Sequence, residues 1–343
     1  MRAHFALLVL LLAVPAFAQE SGEITVDVNV VNIPVTVTDQ EGRAIVDLKK
    51  EDFHIYEDGQ PVEIKYFTGS QDEAKKPRIR VGFLIDLSNT ARLYYKNYKD
   101  SIGDLAFLMM PEGGDNEGFL MGYHTEVDTL VDYTRDPYPI MERMEKLKHG
   151  GGSSMLGAVY EACNEKLLSS PYQGIQEPRK FIVIVGDGHD NASKVSLQEA
   201  IYACQQQQVT IYAVSTEAWG FQQKEEGSLR ELARETGGIV VQPMQKVHTD
   251  VSGYLSKPQD AGNYQYEVGT GLYARAALEA LYKAILAVSG QVQSQYIIGY
   301  TPSRPFTDSS YRKIEVKVNM SSSLVNVYAR TGYFPPILEA PKK

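Results

Sequence analysis

The stretch "VGFLIDLSNT", residues 81–90, begins as an apolar run and ends on oxygen. Val81, Phe83, Leu84 and Ile85 have the composition of a strand buried on both faces. Asp86, Ser88 and Thr90 follow at alternate positions. That spacing at a strand end lets three side chains face one point.

Working outward, the same kind of apolar run recurs through residues 79–290, each separated from the next by a helical stretch. Strands are expected at 80–85, 118–123, 126–133, 181–185, 209–214 and 238–241. Helices are expected at about 91–110, 138–147, 154–168, 195–206, 227–236 and 272–289. Buried strands alternating with helices imply an α/β domain with a doubly wound, mostly parallel, Rossmann-like sheet covered on both faces. One pair departs from this: "FLMGYHTEVDTLVDYT" turns at His124-Thr125 without a helix, which adds one antiparallel edge strand. Residues 246–268, rich in Gly, Tyr and polar side chains, read as a long surface insertion.

The flanks are β in pattern. In the segment 19–70, Ile24, Val26, Val28 and Val30 alternate, then Ile33, Val35 and Val37 after a phase shift. Phe53 and Ile55 lead into an Asp58-Gly59 hairpin turn and on to Val62, Ile64 and Tyr66. Residues 69–78 are a polar linker. Residues 294–334 supply three more strands, in "SQYIIGYTP", "YRKIEVKVNM" and "VNVYARTGYF". Each flank is short for a core of its own. The two are therefore expected to pair as one small all-β module, with the α/β domain inserted between them.

At the N-terminus, Arg2, the apolar run Phe5–Val14 and the small residues Ala16 and Ala18 form a secretory signal. Cleavage is expected after Ala18, giving a secreted or periplasmic product. That run is short for a membrane span, and no later stretch is long enough. Hydrophobic content of 43% and charged content of 22% are ordinary for a globular chain of 343 residues. A formal net charge of −9, with no Lys/Arg cluster, argues against nucleic acid or an anionic membrane as partner. Cys163 and Cys204 match no zinc spacing and are either two buried thiols or one disulfide. Right-handed crossovers into and out of strand 181–185 put their helices on the same sheet face.

In open α/β sheets ligands bind beyond the carboxyl ends of the strands. Three stretches end there with oxygen chemistry: Asp86-x-Ser88-x-Thr90, the loop "GGGSSM" at Gly150–Met155, and "FIVIVGDGHDN", in which Asp187 directly follows a buried strand. Carboxylates and hydroxyls without His or Cys are a hard-oxygen set suited to octahedral Mg²⁺ with positions left open.

On these residues the sequence resembles the von Willebrand factor A family. Its metal-ion-dependent adhesion site (MIDAS) uses Asp-x-Ser-x-Ser, a threonine after a Gly-rich loop and an aspartate in a strand-ending Asp-Gly. The resemblance implies Asp86, Ser88, Thr90, Ser153 and Asp187 as ligands of one Mg²⁺ or Mn²⁺ ion. Thr90 stands for the second serine and Ser153 for the threonine. His189 and Asp190 read as loop residues near the site rather than ligands. The resemblance further implies an adhesion or assembly module and no enzymatic turnover, with a protein partner supplying an acidic side chain to the metal. The wider layout is similar to bacterial secreted von Willebrand factor A-related proteins, through Asp52-Phe53 with Glu57-Asp58-Gly59, Tyr296–Thr301 and Arg330–Tyr333.

Two other readings stand beside this one. The first is a scaffold of the same fold with a degenerate, metal-free site. The second is a Mg-dependent phosphatase of the haloacid-dehalogenase type, which wants acids at positions 88 and 191, where this chain has Ser88 and Asn191. Single caps are also open to these residues. Ser88 or Thr90 suits the start of the helix near Ala91, and Ser153 or Ser154 suits the start of the next.

Overall fold

A computed structural model of the 343-residue chain describes residues 30–93, 95–168, 178–216, 226–246 and 271–335. The expected signal segment 1–18, all but the last residue of the strand at 24–30 and nearly all of the insertion at 246–268 lie outside them. The strands are β1 (Val31–Asp39), β2 (Phe53–Glu57), β3 (Gln60–Val62), β4 (Ile64–Thr68), β5 (Ile79–Asp86), β6 (Glu117–Tyr123) and β7 (Val127–Thr134). They continue as β8 (Arg179–Gly186), β9 (Val209–Ser215), β10 (Val240–Val241), β11 (Tyr296–Tyr300), β12 (Arg312–Val318), β13 (Val325–Tyr328) and β14 (Gly332–Tyr333). The helices are α1 (Tyr95–Met109), α2 (Tyr138–Met144), α3 (Met155–Glu161), α4 (Leu197–Gln207), α5 (Glu226–Thr236) and α6 (Gly271–Gln293).

The central sheet has six strands in the order β10-β9-β8-β5-β6-β7. All neighbours run parallel except β6 and β7, so the antiparallel strand is at the edge. Every residue of β8 and β9 is buried, which is why their sequences are almost continuously apolar. Two cores cover the two faces. On one, Phe83, Ile85, Val183 and Val185 pack with α1, α2 and α6. On the other, Leu84, Ile182 and Ile184 pack with α3, α4 and α5. Alternate residues of one strand thus feed opposite cores, and the inner strands are covered on both faces, whereas the edge strand β7 is partly exposed.

Two four-stranded sheets, β13-β1-β11-β4 and β14-β12-β2-β3, share a third core built from Ile33, Val35, Phe53, Ile55, Tyr296, Ile298 and Tyr333. Both sheets combine strands from before and after the α/β portion: they alternate in the first, and in the second they meet at the β12–β2 pair. The hairpin between β2 and β3 turns on Asp58 (φ 50°) and Gly59 (φ 80°), the left-handed pair that a two-residue turn demands.

Several expected boundaries shift. The helix expected near 91–110 begins with a separate 3₁₀ turn at Ala91–Leu93 before α1. The one expected at about 138–147 stops at Met144. The one at 154–168 is α-helical only to Glu161 and then opens into a π-turn, Ala162–Lys166. The last expected strand is two, because the chain leaves the sheet at Ala329-Arg330-Thr331 between β13 and β14. Arg330, 6% exposed, turns back there and donates to the Asn32 carbonyl at 2.6 Å.

Candidate metal centre

The strand order places the site. β5 lies between β8 and β6, with Ile85 level with Val185 and Asp86 level with Tyr123. The carboxyl ends of three adjacent strands therefore deliver Asp86, Tyr123 and the Gly186-Asp187 corner to one spot. Gly186 is necessary there. A Cβ at that position would stand 2.2 Å from Tyr123 Oη, 3.1 Å from Asp86 Cβ and 3.4 Å from Asp86 Oδ2.

Asp86 and Ser88 are each 3% exposed, whereas Thr90 is exposed and Asp187 half-buried, so the cluster opens outward from a buried floor. The Ser88 N–H donates to Asp86 Oδ1 at 2.8 Å, curling the chain after β5 so that the next hydroxyls return over the carboxylate. Ser88 Oγ and Thr90 Oγ1 are 2.9 Å apart, and Thr90 Oγ1 donates to Asp187 Oδ2 at 3.5 Å. The other oxygen of Asp187 accepts the His189 N–H at 2.9 Å. Burial pushes the Asp86 carboxyl up to about 6 against the hydrogen bonds from Ser88, and the charge of Asp187 adds to the push.

The glycine loop is held from both sides. Gly150 N–H donates to the Leu87 carbonyl at 2.8 Å and Asn89 N–H to the Gly151 carbonyl at 3.3 Å. Gly152 N–H donates to Thr125 Oγ1, in the turn between β6 and β7, at 2.9 Å. Ser153, 1% exposed, is tied to the loop after β8: its N–H donates to Asn191 Oδ1 at 2.8 Å and its hydroxyl to the His189 carbonyl at 2.7 Å. The structure thus joins Asp86, Ser88, Thr90 and Asp187 in one hydrogen-bonded chain and sets Ser153 beside it through His189 and Asn191. Asn191, where a phosphatase would want an acid, is occupied with the Ser153 backbone.

Three participants carried no clear signal in the sequence. Asp190 and Ser193 bind the first turn of α3, and Ser154, its N-cap residue, makes no side-chain cap. Tyr123 is fully buried, and its hydroxyl has no hydrogen-bond partner among the described residues. Burial, with the charges of Asp86, Asp187 and Asp190 adding, pushes its phenol well above the usual range, so it remains a donor. Among the described residues no group of three or more His, Cys, Asp and Glu forms a metal-binding cluster. Metal binding at this cleft would therefore draw on hydroxyls as well as carboxylates.

A doubly wound α/β domain with an oxygen-lined cleft at the carboxyl ends of its strands is the class of protein this geometry defines. Residues 81–249 match the von Willebrand factor type A domain family, and that part of the chain is such a domain. Domains of this family mediate protein–protein interactions, are typically not enzymes and often bind a divalent metal at MIDAS. Similar solved structures include BatB from Bacteroides thetaiotaomicron (16% identity, 47% of this chain and 88% of that one, TM-score 0.37). Another is proximal thread matrix protein 1 from the mussel byssus with a zinc-occupied MIDAS motif (14%, 59% and 46%, TM-score 0.40). A third is the vWF domain of the type V pili tip protein Mfa5 from Porphyromonas gingivalis (22%, 33% and 38%, TM-score 0.29). The chain spans about half the length of the mussel protein, 46%. A search of curated proteins finds no match. No helix among the described residues is long and apolar enough to cross a membrane.

Proposed function

We propose that the cleft holds one divalent cation, Mg²⁺ or Mn²⁺, and that a partner protein completes its coordination with an acidic side chain. One observation carries this reading: the Thr90 hydroxyl stands between Ser88 and Asp187, so oxygens from the ends of two strands converge above the buried Asp86 carboxylate. The donor set fits such an ion. Two carboxylates offset its charge, hydroxyls fill further positions, and no imidazole or thiolate biases the set toward softer metals. Asp86, Ser88, Thr90 and Asp187 would hold the ion, with Ser153 contributing from the glycine loop. The bound ion supplies a Lewis-acidic contact for an outside carboxylate, which gives metal-dependent recognition rather than turnover. Read as a secretory signal, residues 1–18 support a secreted or periplasmic location for this module.

The metal-free alternative draws on Ser153, whose hydroxyl is engaged by the His189 carbonyl. Calorimetric titration of Mg²⁺ and Mn²⁺ into chelator-treated protein separates the two. One-site binding that disappears in Asp86→Ala is the expected result. Absence of binding in the wild type, or unchanged binding in the variant, would overturn the proposal.

A further inference from the structure

The Tyr123 hydroxyl is the one feature of this cleft that the cation reading leaves unexplained. A phenol buried in a dry core ordinarily finds an acceptor, because leaving the group unpaired forfeits the hydrogen bond it had in water. Here Oη has no partner among the described residues, although the ring is fully buried at the end of β6. Backbone pairing fixes its place: Tyr123 is level with Asp86 across β5 and β6, and its carbonyl accepts the Leu87 N–H at 2.8 Å. The sheet therefore fixes the backbone of this residue beside the Asp86 backbone.

What the hydroxyl faces is defined by Gly186. Oη and Asp86 Oδ2 both border the point where a side chain on that residue would begin, at 2.2 Å and 3.4 Å. The other Asp86 oxygen is already engaged by the Ser88 N–H. Gly186 thus leaves a gap with a phenol donor on one side and Asp86 Oδ2 on the other.

We propose that Tyr123 is a positioning residue of the metal centre, whose hydroxyl donates to Asp86 Oδ2 in the cation-loaded protein and holds that carboxylate toward the ion. The inference rests on the cation reading above. A hydroxyl that has no acceptor among the described residues and gains one when the cation binds favours the cation-bound state by about the worth of one hydrogen bond to a charged group. It also makes the cation-free protein pay for an unmet donor. Removing the oxygen alone should therefore move two measurements in opposite directions.

The test is Tyr123→Phe in the full chain, with Mg²⁺ and Mn²⁺ titrated calorimetrically after chelator treatment and melting followed in chelator. The expected result is roughly tenfold weaker cation binding, with a melting temperature in chelator equal to or above that of the wild type. Tyr133→Phe, which removes a phenol bonded to the Lys166 carbonyl at the sheet edge, is expected to bind the cation as the wild type does. Wild-type affinity in Tyr123→Phe would overturn the proposal while leaving the cation reading intact. A lowered melting temperature in chelator would also overturn it, since the hydroxyl would then have had a partner in the empty protein. A wild type that binds neither ion would remove the cation reading and this inference with it.

Discussion

The Asp190 carboxylate accepts the Leu156 N–H at 2.7 Å, so the loop after β8 caps a helix more than thirty residues upstream. The same oxygen accepts the Ser193 hydroxyl at 2.6 Å, and that hydroxyl in turn accepts the Gly157 N–H at 2.8 Å. Two of the first-turn donors of α3 are met this way, with the cap supplied by another loop. Asp190→Ala is expected to cost about 1–2 kcal/mol, the usual worth of a helix cap. A lower urea midpoint with an unchanged denaturant slope would check it. Full stability in the variant would mean that Ser193 alone suffices.

Asp86 gives the stability of the cation-free protein a pH dependence of definite sign. Its carboxyl is held up at about 6 in the folded chain, against a value of 3.8 when unperturbed. The folded state therefore keeps a proton that the unfolded state has released. The associated stability is fully present below about pH 4 and is lost as pH rises through about 6, by about 3 kcal/mol in all. Asp86→Asn removes this dependence. The variant should match the wild type near pH 4 and exceed it by up to that amount at pH 7, measured by urea denaturation in chelator. A difference that does not change with pH would contradict the burial argument.

Gly186→Ala is expected to destabilise by about 2–3 kcal/mol, because its methyl would fall 2.2 Å from Tyr123 Oη. In a Tyr123→Phe background that nearest atom is gone, so part of the cost should be recovered. A double-mutant cycle by equilibrium denaturation measures the recovery. Strict additivity would show that the Asp86 side of the gap, at 3.1 Å, carries the whole clash.

Glu57, on β2, is 1% exposed and anchors three residues of the C-terminal segment. It accepts the Tyr300 and Tyr333 hydroxyls at 2.7 and 3.0 Å and the Ser303 hydroxyl at 3.1 Å. Glu57→Ala leaves these donors without an acceptor and should cost about 3–5 kcal/mol. Glu57→Gln retains one acceptor oxygen and should cost less. Comparable loss in both would place the effect in the charge rather than in the acceptor.

Cys163 and Cys204 are fully buried with their Sγ atoms 2.8 Å apart, across the π-turn and α4. Burial pushes the Cys204 thiol up, so the folded protein should resist oxidation. Refolding with oxidised glutathione should instead close the pair. Two thiol protons are released, and the two electrons reduce one glutathione disulfide to two thiols. A thiol count of zero on unfolded, unreduced protein is the expected outcome. Closure across 41 residues adds about 4 kcal/mol of stability in the chain-entropy account. Two free thiols after refolding would refute it.

The elements that could be read along the chain are those whose cause is local. The runs at 81–85 and 181–185 are apolar throughout because both faces of the sheet are covered, and they appear as β5 and β8. The Asp58-Gly59 turn was legible because few other residue pairs adopt two left-handed conformations in succession. The π-turn at Ala162–Lys166 was not, since nothing in "ACNEK" marks it locally. The split between β13 and β14 escaped for a related reason: Arg330 leaves the sheet to reach the carbonyl of Asn32, a partner far away in the chain.

The same division runs through the cleft. By itself the sequence determined which side chains carry oxygen at strand ends, and their alternate spacing, because both follow from residue identity and the period of a strand. Only the tertiary structure decided that β8 and β6 flank β5, and hence that Asp187 and Tyr123 stand on either side of Asp86. It also decided that Asn191 and His189 hold Ser153, and that Asp190 caps α3. Those contacts join residues 30 to 100 positions apart. No local preference encodes them, because their energy is gained only once the whole sheet has closed.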